Sequence, residues 1–591
     1  MRKVRIAIVD SGVRLDHPAV SGHSPQMVYH SGLKEGEGAC GHGTAIYNII
    51  KKTENFADII NFQITNQEEE ISDGALLSCL SIIRDKYDVD IINLSLGLSL
   101  CDDIAGLRKV CDDLSSKGVI IVSAFDNIGS ISYPAAFKNV IGVTSIDSCR
   151  KTGDFIVFED DVINIGANGN VQRLAWDKPD YILFYGNSFA CAHVTVQVAR
   201  FISEGSVSFS EIMDRFRTIA LQVYANDVRH FQRQKLFSID KAAVFPFNKE
   251  MHSIIRFSEL LSFEISGVYD VRESSHIGST TDHIMKADVN SVLIKNYEEM
   301  DWDSFDTVII GNIPSHNAHF LAKSREKVIE KAIALGKNIF SFDDLRSQYH
   351  YERLYCPTVE REDVPIERLG KLYRITKPVI GVYGTSSCQG KFTLQLELRK
   401  KFLEHGYAVG QIGTEPSAQL FGMDYAYPMG YNCSVYIEGH DTITYLNECI
   451  NTLCQNECDI VITGSQASVL PIDVGNKSMF PIRQYSFLMG TQPDCIVLCV
   501  NPFDDLEYIR RTIAFLESSV DGKVIAICVY PMQYKKDWTG MYSQKEPLQM
   551  SEFEWLKAIY YKEFSIPVYQ LGAEDDTGLL FDNIVSFFSE K

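Results

Sequence analysis

The chain has 591 residues, with 77 Asp or Glu against 56 Lys or Arg, a formal net charge of −21. Its 45% hydrophobic content is that of a globular protein, which excludes disorder and collagen-like repeats. The acidic balance argues against nucleic acid or an anionic membrane as the principal partner.

At roughly 100–200 residues per domain, this length predicts about three or four domains. In chain order, Met1-Arg-Lys-Val-Arg-Ile-Ala-Ile-Val-Asp10 reads as a strand entering a fold directly, without the apolar core and cleavage site of a signal peptide. Apolar strands at 4–9, 89–94 and 119–122 alternate with amphipathic segments up to about residue 240, the pattern of a parallel α/β sheet. A second cycle opens at Ala242-Ala-Val-Phe-Pro-Phe247 and runs through a strand at 307–310, a helix at 325–335 stopped by Gly336, and a strand at 338–342. Residues 356–369 are charged, carry two prolines and lack periodicity, so they read as a linker. A third cycle starts at Pro378-Val-Ile-Gly-Val-Tyr-Gly384, continues through strands at 460–463, 495–500 and 524–529, and ends in a helix at 579–588. The expected architecture is α/β throughout, in domains 1–243, 244–372 and 373–591.

The 15 cysteines show no zinc-site spacing, and Cys449, Cys454 and Cys458 read as buried thiols of a helix. No ligand cluster for calcium or another metal stands out. No run of 18 apolar residues occurs, so no membrane span is expected, and a reducing cytoplasm is the expected compartment.

Four motifs in the first region carry chemistry. Asp10-Ser11-Gly12 ends the first strand, Gly41-His42-Gly43-Thr44 begins a helical stretch, Asn127 follows a strand, and Gly186-Asn-Ser188-Phe-Ala-Cys-Ala-His193 enters another helix. Each alone has a plain structural reading: turn chemistry for Asp-Ser-Gly, a core histidine, a helix N-cap for Ser188. Together they supply a hydroxyl nucleophile, an imidazole to take its proton, a carboxylate to fix the imidazole tautomer, and an amide donor for the oxyanion. The order Asp, His, Ser is that of subtilisin and not of chymotrypsin or the α/β-hydrolases.

With His17-Pro18, Ile92-Asn-Leu-Ser-Leu-Gly97, Tyr133-Pro-Ala135 and Val140-Ile-Gly-Val143, this region resembles the subtilase family. The resemblance implies that Asp10 orients His42, His42 is the general base, Ser188 attacks, and Asn127 stabilises the oxyanion. It also implies that Ser95, Leu96 and Gly97 pair with the extended substrate backbone. Asn187, Phe189 and Ala192 depart from the usual Gly-Thr-Ser-Met-Ala-x-Pro-His pattern, and Asp126 stands where a glycine usually lines the primary specificity pocket. A carboxylate there suggests a basic residue before the scissile bond; a solvated loop carboxylate is the bland alternative. With Asp10 so near the start, no room is left for the signal and propeptide of secreted subtilisins, so a narrow intracellular processing role is expected.

In the third region, Gly384-Thr-Ser-Ser-Cys-Gln-Gly390-Lys391-Phe-Thr393 joins an apolar strand to a helical stretch at 394–405. A glycine-rich loop at such a junction cradles phosphate on backbone N–H groups, with lysine adding charge. Gly384, Thr385, Gly390, Lys391 and Thr393 are the candidate ligands; a merely structural turn is the alternative. The spacing is one residue longer than the standard G-x-x-x-x-G-K, with Phe392 in the usual magnesium-side Ser/Thr position. No carboxylate ends the strand near 459–463, which counts against ATP hydrolysis more than against phosphate binding.

Phe305-Asp-Thr-Val-Ile-Ile-Gly311, Ala334-Leu-Gly-Lys-Asn-Ile339, the Gly384–Lys391 loop and Gly490-Thr-Gln-Pro-Asp494 make residues 244–591 similar to bacterial D-glutamate N-acetyltransferase-like proteins, a Rossmann-like domain joined to a P-loop NTPase-like domain. Gln466-Ala-Ser468 lacks the glutamate usual there. Val244-Phe-Pro-Phe247 and Gly413-Thr-Glu-Pro416 also resemble a variant of clostridial peptide-maturation systems. These resemblances imply a cytoplasmic serine endopeptidase that removes the leader of a ribosomally made precursor peptide and needs no cofactor for proteolysis. Its P-loop region would take ATP with magnesium or acetyl-CoA and acylate the product. Other maturation enzymes are implied partners, with no nucleic acid and no membrane. The alternatives are a small-molecule N-acyltransferase, or a leader-binding scaffold with a secondary protease domain.

Overall fold

The computed structural model describes the chain except residues 1–2, 22–24, 31–32, 34–40, 54, 66–70, 128, 160–161, 207, 225–235, 314–317, 366–369, 431, 457, 472–480, 535–544 and 590–591. It divides into two compact units, residues 1–229 with 366–374, and residues 230–365 with 375–591.

The first unit is built on a nine-stranded sheet. Val4–Asp10 is buried along almost its whole length, as a central parallel strand covered on both faces must be. Its alternation assigns each face: Ile6 and Ile8 share a core with the helices Gly41–Ile50 and Asn187–Ser203, while Ala7 and Val9 pack against Asp73–Lys86 and Ile104–Ser116. Its neighbours are Ala57–Gln63 on one side and Ile91–Leu94 on the other, both parallel to it. The chain therefore leaves this strand in one direction and returns to its opposite edge. Such a reversal opens a crevice at the carboxyl ends of the strands, where open α/β sheets bind ligands. Ile120–Ala124 and Val140–Ser145 extend the parallel sheet beyond Ile91–Leu94.

The second unit holds two parallel sheets. One has the order Ile294–Asn296, Glu264–Asp270, Lys241–Phe245, Thr307–Ile310, Asn338–Ser341, Leu354–Tyr355. The other runs Tyr425–Ala426, Val409–Gly413, Ile460–Gly464, Val379–Gly384, Cys495–Val500, Lys523–Val529, Val568–Gln570. Phe247 and Phe342 of the first share one buried cluster with Leu396, Ala418 and Phe421 of the second, so the two sheets sit in one unit.

Strands at Thr307–Ile310 and Cys495–Val500 fall where the sequence puts them. The expected boundary at 243/244 lies inside Lys241–Phe245, whose last four residues are fully buried. The expected linker 356–369 is packed at its start: Cys356 is buried and Val359 pairs with Val435. Its end, 366–369, lies outside the described residues. Among the described residues no helix is long and apolar enough to cross a membrane.

Candidate active site

Asp10 closes its strand at the mouth of the crevice, and its carboxylate is buried. Oδ1 accepts from the Ser11 N–H at 2.7 Å and hydroxyl at 3.1 Å, and lies 2.9 Å from His42 Nδ1. An ionised carboxylate only accepts, so Nδ1 carries the proton and Nε2 is left with its lone pair, the tautomer a general base needs. His42 sits in the first turn of Gly41–Ile50, and its side chain is 30% exposed, open to a substrate. Gly43 makes this approach possible: a Cβ there would lie 2.1 Å from the Gly12 carbonyl oxygen.

Ser188 is the second residue of the helix Asn187–Ser203, whose neighbour on the sheet face is the His42 helix. The ring centroids of Phe189 and His42 lie 5.9 Å apart, which sets the start of the Ser188 helix beside the His42 imidazole. The Ser188 hydroxyl donates to the Ser95 carbonyl at 2.9 Å, and the Ser95 hydroxyl donates back to the Ser188 carbonyl at 3.0 Å. Attack requires the Ser188 hydroxyl to turn from Ser95 to His42, the tightening on substrate binding common in proteases at rest.

Asn127 follows Ile120–Ala124, and its Oδ1 accepts the Asn187 N–H at 2.9 Å, leaving Nδ2 as the donating end. Asn187 is used completely. Its Nδ2 donates to the Phe125 and Asp126 carbonyls at 3.1 and 2.7 Å, and its Oδ1 accepts the Ser145 N–H at 2.7 Å. The residue that departs from the usual motif thus ties the nucleophile helix to the oxyanion loop. Asn187→Ala should lower the melting temperature, since leaving such buried groups unpaired costs about 1–3 kcal/mol each. Asn127→Ala should lower kcat by about 10²-fold with KM little changed, the cost of one oxyanion donor, read from initial rates on a cleaved peptide.

Other residues of the same types are structural. Burial pushes the His193 pKa down to about 4, so it stays neutral, with Nε2 3.1 Å from Gln172 Oε1. His17 Nδ1 accepts the Ala19 N–H at 3.0 Å while Nε2 meets the Asp180 carbonyl at 2.6 Å. Burial pushes the Cys191 thiol far up. Among the described residues no group of His, Cys, Asp and Glu is placed to hold a metal ion.

The segment Ser95-Leu96-Gly97 lies along the crevice; the Leu96 carbonyl accepts the Ser123 hydroxyl at 3.2 Å, and Leu98 exchanges both backbone bonds with Tyr133 at 2.8 Å. Asp126 is half-buried, with Oδ1 accepting the Ser130 N–H at 3.1 Å and its own N–H donating to the Ser132 hydroxyl at 2.9 Å. Its carboxylate is therefore engaged in its own loop and not simply solvated.

In the second unit, the loop after Val379–Gly384 leads into the helix Lys391–Glu404. Lys391 folds back over it, donating to the Ser386 carbonyl at 2.6 Å; a Cβ at Gly384 would lie 3.0 Å from Lys391 Cδ and 2.6 Å from Gln389 Oε1. Burial pulls the Lys391 pKa down to about 8. Gly390, Lys391 and Thr393 line a cavity of about 570 Å³ with Lys249, Glu415 and Gln466. Gly384 and Thr385 are buried at the base of the loop; the Thr385 hydroxyl is bonded to Asp504, which also accepts the Asn501 N–H at 2.7 Å. Two carboxylates stand by this loop: Glu415, within the Gly413-Thr-Glu-Pro416 motif but given no role from sequence, and Asp504, which the sequence did not single out. Glu415, beyond Val409–Gly413, lines the cavity and accepts from Gln466 Nε2 at 2.7 Å; burial raises its pKa. Asp504 stands in the turn after Cys495–Val500. The available signal was an acidic residue a few positions beyond an apolar strand, not at its last residue. Asp270 and His276 form a further pair at 2.8 Å that sequence spacing did not reveal.

The model described as the subtilase family matches residues 1–211, and that of DUF1611, a domain of unknown function described as a P-loop domain, matches residues 368–571. Subtilisin DY of Bacillus licheniformis is 24% identical over 236 residues, 37% of this chain and 83% of that protein. A crystal structure of a DUF1611 family protein from Anabaena variabilis covers 59% of this chain and 99% of its own, at 14% identity and a TM-score of 0.42. The prenylagaramide maturation protease PagA covers 34% of this chain and 76% of its own, at 21% identity and a TM-score of 0.28. The chain thus joins a subtilase-family serine-peptidase domain to a C-terminal P-loop domain.

Proposed function

From a subtilase-family peptidase domain joined to a P-loop domain, we propose a serine endopeptidase that trims a ribosomally made precursor peptide, with a second activity or ligand at the P-loop. The observation that carries the peptidase chemistry is the Asp10–His42 pair at 2.9 Å, set beside the helix that bears Ser188. His42 takes the Ser188 proton as the hydroxyl attacks the scissile carbonyl, then returns it to the leaving amine. Asn127 Nδ2 and the Ser188 N–H, in the first turn of its helix, receive the developing oxyanion. The precursor-peptide substrate, the leader as the removed part and a cytoplasmic site of action come from the sequence resemblance to peptide-maturation proteins. Wild-type protein and Ser188→Ala are incubated with a peptide library and with leader-bearing peptides and read by mass spectrometry. A single cleavage junction found only with wild type supports the proposal; equal fragments from both, or indiscriminate cutting, oppose it.

The loop residues fit a phosphate: a helix N-terminus, a lysine ammonium and the Thr393 hydroxyl converge on one cavity. Gly390, Lys391 and Thr393 would hold the phosphates of ATP or of acetyl-CoA, which would supply a transferable phosphoryl or acyl group. Calorimetry with each compound distinguishes them.

A further inference from the structure

Residues 370–374 lie more than 200 positions downstream of Asn127, within the stretch matched as P-loop domain, yet they belong to the first unit. Leu372 pairs with Ser130 as an isolated parallel bridge: Ile131 donates to the Leu372 carbonyl at 2.9 Å, and Leu372 donates to the Gly129 carbonyl at 3.2 Å. Tyr373 packs on the cluster formed by Phe125, Ile131 and Ile163. Just before them, Lys371 turns inward. Only 8% of it is exposed, and its Nζ donates to the Asp126 carbonyl at 3.2 Å and stands 5.9 Å from the Phe125 ring centre.

Lysine is almost never buried unless something compensates its charge. Here burial lowers its pKa, and the Asp126 carboxylate opposes that shift. The Asp126 carbonyl receives Lys371 and Asn187 together, and the peptide unit that carries this carbonyl continues into Asn127. The strap and the nucleophile helix therefore grip the same peptide, one residue before the oxyanion donor.

We propose that residues 370–373 are a working part of the peptidase domain, in which Lys371 is a positioning residue that holds the Asp126–Asn127 peptide in its oxyanion-binding orientation. This rests on the serine-peptidase reading of the site. The Asn127 amide is useful only where the oxyanion forms, and a displacement of the order of 1 Å can cost about 10²-fold in rate. Partial loosening, with Asn187 still bonded, should cost less.

The test uses the full-length chain and a fluorophosphonate probe, which labels an activated serine through the same oxyanion site. Wild type should label to stoichiometric amplitude, and Ser188→Ala not at all. Lys371→Met should label to the same final amplitude at a rate about tenfold slower, and Lys371→Arg, which keeps a cation and donors, should restore most of the rate. A merely structural role would lower the labelled fraction without slowing the molecules that do label. That result, or an unchanged rate, overturns the proposal. Should Lys371→Met not fold, Lys371→Gln is read in the same way against Lys371→Arg. If wild type itself is not labelled, the chain is not a serine peptidase of this kind and the strap has no oxyanion loop to serve. That failure is distinct from one in which wild type and Lys371→Met label alike.

Discussion

Ser188→Ala is expected to lower peptide-bond cleavage by about 10⁶-fold, His42→Ala by as much, and Asp10→Ala by about 10⁴-fold. The ranking follows from the roles. Without the hydroxyl or the imidazole, the covalent route closes and only binding and the oxyanion donors remain, so Ser188→Ala with His42→Ala together should be little worse than either alone. Asp10 acts through His42, gripping Nδ1 at 2.9 Å while its own Oδ1 is held by both donors of Ser11. Asp10→Asn keeps the shape but can present an N–H to Nδ1, favouring the opposite tautomer, so a loss of about 10⁴-fold is expected there also. Single-turnover rates on one cleaved peptide measure all five. Equal losses for Asp10→Ala and Ser188→Ala would mean that Asp10 does more than orient, and a mild loss for His42→Ala would remove it as the base.

The candidate catalytic residues were legible because each stands at a junction that local chemistry marks: a strand end before Ser-Gly for Asp10, and a glycine at a helix start for His42 and Ser188. Strands such as Cys495–Val500 were legible because an unbroken apolar run suits a strand covered on both faces. Other features have no local mark. Lys371 lies just beyond the charged, aperiodic stretch 356–369, and its burial against Asp126 comes from chain return over a distance that no spacing encodes. Glu415 and Asp504 reach the phosphate-loop region from turns beyond two different strands, so only the strand order brings them there. The merging of two sheets into one unit depends on Phe247, Phe342 and Phe421 packing together, and apolar residues in separate segments do not announce their partners.

Lys391→Ala is expected to weaken binding of a phosphate-bearing ligand by about 10³-fold, from the loss of two charge-assisted bonds worth about 1.5–3 kcal/mol each. The wild-type site should also be sensitive to pH, in a direction fixed by burial. In the free chain the Lys391 pKa is pulled down to about 8, so the ammonium dominates at neutral pH and is lost above pH 8. The ligand selects the cation, so its affinity should fall as pH rises through 8, approaching tenfold per unit. Stability of the free protein must move the opposite way. Between about 8 and the ordinary lysine value of 10.5, the unfolded chain binds the proton that the folded chain releases, so this group's contribution to stability rises with pH across that window. Lys391→Met, which removes a costly buried cation, should therefore raise the melting temperature of the free protein at neutral pH while abolishing the further rise on adding ligand. Thermal scans with and without ATP or acetyl-CoA, repeated from pH 7 to 9, read both signs at once. A ligand-induced shift that survives in Lys391→Met would move the phosphate site away from this loop. A free-protein melting temperature that drops in the variant would mean that the lysine is held by more than the Ser386 carbonyl it touches.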